Sequence, residues 1–77
     1  MELTTLQEKT LKQVGYGVHF VNRRLVDENC ETVDGRALRR LVSLELVCYR
    51  TSMRSGGVLC ATPTLTSSGD DLFENII

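Results

Sequence analysis

Arginine dominates the chemistry this chain can offer. At about 100° per residue, Arg36, Arg39, Arg40 and Ser43 share about a quarter-turn of a helix. Ala37, Leu38, Leu41, Val42 and Leu44 take the opposite side. A guanidinium is a planar fork of donors that fits phosphate oxygens and the O6/N7 edge of guanine. One packed face and one face of three arginines make residues 34–46 a candidate reader of nucleic acid. Arg50 and Arg54 follow, in a segment that reads as strands Cys48–Thr51 and Val58–Thr62 joined by the glycine-bearing Ser52–Gly57. Arg54 at the turn suits a minor groove, and Arg50 the backbone. Arg23 and Arg24 form an earlier cationic pair, suited equally to clamping phosphate or to a solvated helix end.

The charge pattern supports that reading better than the total does. The chain of 77 residues carries a net charge of −1. Residues 1–35 sum to −2, residues 36–54 to +4 and residues 55–77 to −3. A local positive patch can hold an anionic polymer on a protein that is acidic overall.

Catalytic readings find little to stand on. His19 is the only histidine, with no serine, cysteine or aspartate spacing around it that builds a nucleophile and its base. Gly15-Tyr-Gly17 lacks the rest of a phosphate-binding loop. Asp70-Asp71 reads as a pair of acids at a helix N-terminus rather than a metal pair. Cys30, Cys48 and Cys60 have no zinc-ligand spacing. If the proposed hairpin centres on Arg54, Cys48 and Cys60 face each other, most simply as two small apolar strand residues. The sequence therefore predicts no enzyme, cofactor or metal.

Four helices and one hairpin are needed to position these groups. A capping box, Thr5 with Glu8, starts a first helix that sends Leu3, Leu6, Leu11, Val14 and Val18 inward, and Gly15-Tyr-Gly17 ends it. Val18, Val21 and Leu25 space a second helix over Val18–Asp27, with Asp27–Thr32 as a turn. Thr32 or Asp34 caps the third, arginine-bearing helix. Pro63 cannot donate to a ladder, so the second strand should end near it. A final helix from about Ser67 carries the stripe Leu72, Phe73, Ile76 and Ile77. That stripe must be covered, against the first helix or across a two-fold axis, with a homodimer preferred because it lengthens a DNA contact. The 42% hydrophobic share predicts one folded domain, 1–77. Two Phe, two Tyr and no Trp leave its core to Leu and Val. No run has membrane-spanning length and the start is no secretion signal, so a cytoplasmic setting is expected.

At Leu3-Thr-Thr-Leu-Gln7, Leu41–Val47 (Leu-x-x-Leu-x-Leu-Val), the arginine-bearing hairpin and Leu65-Thr-x-x-Gly69-x-x-Leu72, the chain resembles the winged helix-turn-helix family, most of all MarR-type regulators. The likeness covers nearly the whole chain, and the last two features carry it most specifically. It implies an α+β winged helix-turn-helix: three helices, a two-stranded wing at about 48–62 and a C-terminal helix. The implied function is sequence-specific binding of double-stranded DNA in transcription regulation, with the third helix in the major groove. Glu45 departs from the family, which usually places glycine there to close the helix in left-handed geometry. The long dimerising helices of the MarR type are also missing, leaving a unit like the small pilus-operon regulators. The rival is a phage or mobile-element winged helix that binds a host protein such as a polymerase or nuclease.

Overall fold

The computed structural model describes the backbone of residues 2–53 and 59–77 and the side chains of residues 2–51 and 61–77. Arg54, and with it the expected wing tip, lies outside the described residues. Thr4 opens helix α1 (Thr5–Tyr16). Its hydroxyl accepts from the Gln7 N–H at 3.2 Å, and the Gln7 side-chain oxygen accepts from the Thr4 N–H at 3.1 Å. The capping box is thus Thr4–Gln7, one residue before the expected one, with glutamine in the acid's place. Leu11 and Val14 enter the core, and Leu3 and Val18 pack at its edge. Leu6, expected inside, is half exposed. The helix passes through Gly15 and stops at Gly17, whose φ of 118° only glycine adopts freely. Gly15 has a packing reason: a β-carbon there would overlap the Phe73 ring.

Residues 18–27 are not the helix that their i, i+3, i+7 spacing predicts. They form a hairpin of strands β1 (Val18–Val21) and β2 (Arg24–Asp27), pairing Val18 with Asp27 and Val21 with Arg24. β-branched and aromatic residues favour this outcome, and alternation decides which side chains go inward. Val18 and Leu25 pack against the core, whereas Val21 is 44% exposed, so the three never share a stripe. His19 consequently stands exposed on a strand. The two-residue turn has positive φ at both Asn22 (49°) and Arg23 (67°), the mark of a type I′ turn.

The arginine-bearing helix is α2 (Gly35–Ser43), and it leads into strands β3 (Val47–Met53) and β4 (Leu59–Leu65) and helix α3 (Ser67–Ile76). The second hairpin is longer than expected, and β4 continues through Pro63, which pairs with Tyr49. In a two-stranded sheet every strand is an edge, so a residue lacking an N–H is tolerated where its nitrogen faces outward. The register also separates the cysteines. Cys48 faces Thr64 and Cys60 faces Ser52, four positions apart along the ladder, or roughly 13 Å at strand rise. No bridge spans that distance.

The described residues form a small α+β domain of three helices and two two-stranded antiparallel sheets. Its buried cluster, Leu11, Val14, Val33, Leu38, Leu41, Leu46 and Val47, is wholly leucine and valine. Leu72 and Ile76 of α3 pack against it, and the Phe73 ring meets Tyr16 edge-on with centroids 5.2 Å apart. Of the two ways to cover the α3 stripe, these residues use the one within the chain, against α1.

Candidate nucleic-acid interface

Helix α2 is fixed at both ends by identifiable contacts. The Asp34 carboxylate accepts from the Ala37 N–H at 2.8 Å, so of the two expected cap candidates, Thr32 and Asp34, it is Asp34 that serves as the N-cap. Ala37, Leu38 and Leu41 are buried, and Val42 and Leu44 pack at the core edge. Arg36, Arg39, Arg40 and Ser43 are all exposed on the other side. Among the described residues the one ion pair is Lys9 with Glu31, so no carboxylate is held against the three arginines.

At its far end α2 closes with Glu45 in left-handed geometry, φ 62°. The Glu45 N–H donates to the Val42 carbonyl and the Leu46 N–H to the Leu41 carbonyl, both at 3.0 Å. These are the two bonds of a Schellman motif, with buried Leu46 and Leu41 supplying its apolar contact. A non-glycine residue in that conformation costs roughly 1–2 kcal/mol. The turn is then clamped from above. The Thr66 hydroxyl donates to the Glu45 carbonyl at 2.6 Å, and the Thr66 N–H donates to the Leu46 carbonyl at 3.0 Å. The same hydroxyl accepts from the Gly69 N–H at 3.1 Å and caps α3. Gly69 is the contact point, since a β-carbon would overlap the Leu46 carbonyl oxygen. The Leu65-Thr-x-x-Gly69 run thus holds the end of α2 to the start of α3.

The other arginines fall elsewhere. Arg50 is exposed on β3 opposite Thr62. It shares a cleft of about 370 Å³ with Gly15, Gly17, Val18 and Thr64, at the junction of α1 and β1. The α2 arginines therefore form one face, and Arg50 belongs to a second surface. Arg23 and Arg24, expected at a helix end, are exposed at the β1–β2 turn instead.

The sequence reading missed the role of Asp27. Its carboxylate accepts from the Gln13 amide at 3.0 Å, the Asn29 N–H at 2.8 Å and the Glu31 N–H at 2.9 Å. It thereby shapes the 28–31 loop and ties it to α1. The Gln13 hydrogen bond, then those from Glu31 and Asn29 and the more distant Lys9 charge, hold its pKa below the usual carboxylate value against the opposing effect of burial. An Asp followed by Asn and Glu before a β-type stretch is the signal that could have revealed this turn.

Among the described residues no group of three or more His, Cys, Asp or Glu side chains gathers as a metal site. Among the same residues no helix is long and apolar enough to cross a membrane. Comparison of the chain with protein-family models, curated proteins and solved structures finds no match.

Proposed function

We propose that this chain is a sequence-specific DNA-binding transcriptional regulator of winged-helix build. In this reading α2 enters the major groove and the β3–β4 hairpin lies as a wing along the backbone or minor groove. The observation that carries it is the exposed, unpaired face of Arg36, Arg39 and Arg40 opposite the buried Ala37, Leu38 and Leu41. Nine helical residues are about 14 Å long, a length suited to a major groove about 12 Å wide. Arg36, nearest the N-terminal end, is placed as such helices place their base-reading residues, with Arg39, Arg40 and Ser43 extending the contact to bases or phosphates. Arg50, on a surface apart from the α2 face, is not assigned to that contact. The build departs from the expected helix-turn-helix in one element, because a hairpin occupies the position of its partner helix.

Fluorescence anisotropy with a labelled duplex enriched by the chain from a random pool tests this reading. Replacing Arg39 with Ala should weaken binding by about 1–3 kcal/mol if it pairs with a base edge, and relax preference at one position. An unchanged affinity and preference for Arg36→Ala, Arg39→Ala and Arg40→Ala would remove α2 from the interface. A homodimer through α3 is a separate proposal. With Leu72, Phe73 and Ile76 engaged inside the chain, its interface would be built on Ile77 and the exposed acids Asp70, Asp71 and Glu74. Those same acids suit a basic protein partner, and capture of a polymerase or nuclease that survives Arg39→Ala but is lost with Asp70→Asn and Asp71→Asn would indicate it.

A further inference from the structure

The turn between β1 and β2 carries a residue that suits a ligand better than it suits its own backbone. Type I′ turns need positive φ at both central positions, and the second is ordinarily glycine. Here it is Arg23, at φ 67°, with Asn22 before it at 49°. A glycine would relieve the strain, and the arginine gains no ion pair in exchange: it is exposed and, among the described residues, has no carboxylate partner. Arg24 follows, also exposed and directly opposite Val21. The tip therefore presents two adjacent guanidinium groups beside Phe20, 36% exposed, and Val21, 44% exposed.

The hairpin is also coupled to the leading end of α2. The Val33 N–H donates to the Leu25 carbonyl at 3.0 Å, and Val26 bridges Thr32. Val33 is buried and immediately precedes the Asp34 cap. A groove of about 470 Å³ runs between the hairpin and the segment that precedes α2, with Arg24 and Val21 on one side and Cys30 and Thr32 on the other. A displacement of the hairpin would thus be passed to α2 through one short, hydrogen-bonded link.

We infer that the β1–β2 hairpin is a second arm on the duplex, with Arg23 and Arg24 on consecutive phosphates flanking the site read by α2. The inference rests on the DNA-binding reading and decides between the two roles the sequence offers Arg23 and Arg24, now on a hairpin tip rather than a helix end. Charge complementarity selects the occupant: two cations at a strained tip, with no ion pair among the described residues, suit the regularly spaced anions of a nucleic-acid backbone, and Val21, opposite Arg24, suits its sugar edge.

Arg23→Gly is the discriminating variant, because glycine fits the turn and keeps the fold. The full chain and its variants are titrated against the duplex enriched from a random pool, and against a scrambled duplex, over a salt series. The expected result is a thermal midpoint unchanged or raised and an unchanged preference for the enriched sequence. The slope of log K against log salt should flatten by about 0.9 for Arg23→Gly, and by about twice that when Arg24→Ala is added. Unchanged slopes in both variants, with Arg39→Ala still weakening binding, would overturn the arm and leave the α2 reading standing. No binding of either duplex by the full chain would overturn both.

Discussion

Replacing Glu45 with Gly should make the protein more stable. Glu45 sits at φ 62°, the left-handed residue that closes α2, where an L side chain costs roughly 1–2 kcal/mol and glycine costs nothing sterically. Glycine gives back part of that gain through the larger freedom of the unfolded chain, about 0.5–1 kcal/mol. Removing an acid from a helix C-terminus adds a few tenths of a kcal/mol in the favourable direction. The side chain is exposed, and the contacts from Thr66 that anchor the turn go to the backbone carbonyls of Glu45 and Leu46, so the substitution removes neither. The net gain is about 0.5–1.5 kcal/mol. For 77 residues the unfolding entropy is about 0.16 kcal/mol/K, so 1 kcal/mol moves the midpoint by about 6 °C. Circular dichroism melting should place Glu45→Gly about 3–9 °C above the parent. A midpoint lowered by the change would show that Glu45 makes a stabilising contact the Schellman geometry does not include, and the account of how α2 ends would be wrong.

Three further outcomes follow from contacts elsewhere in the fold. Gly69→Ala should destabilise by about 1–3 kcal/mol, read as a midpoint lower by about 6–18 °C, although alanine is the better helix former, because its β-carbon meets the Leu46 carbonyl. Gly15→Ala should cost less, since the Phe73 ring that it meets can move. The lowered pKa of Asp27 makes its contribution to stability complete above the unfolded carboxylate value, near 3.9, and lost as pH falls through the folded value. Urea midpoints at pH 7 and pH 3 should therefore differ less for Asp27→Asn than for the parent, with the variant weaker at pH 7.

Much of this architecture is legible in the residues, for reasons that differ by element. Helix α2 carries an amphipathic pattern, so its buried side and its exposed arginines could be read directly, whereas its end at Ser43, short of the expected 46, is set by the left-handed Glu45. Helices α1 and α3 announce themselves by hydroxyl caps before apolar periodicity, though Thr4 and Thr5 could not be told apart without the backbone. The 18–27 hairpin was hidden because Val18, Val21 and Leu25 satisfy a helical spacing, while Val18, Phe20, Leu25 and Asp27 satisfy strand alternation equally well. Its turn lacks the usual glycine, the same substitution that gives Arg23 its interest. Pro63 marked a strand end by rule, yet an unpaired strand edge removed the rule's force. The side of the wing on which Arg50 lies depends on how β4 rests against α1 and β1, a tertiary contact that no local pattern encodes.

The central claim concerns DNA, and one comparison addresses it most directly. The purified chain is titrated against the region upstream of its own coding sequence and against an unrelated duplex at one fixed salt concentration. The account predicts clear preference for the upstream region, reduced about 5- to 150-fold by Arg39→Ala, the factor that 1–3 kcal/mol represents. Binding to both duplexes no better than to a neutral control, together with a cellular protein that co-purifies and is released by Arg39→Ala, would contradict it.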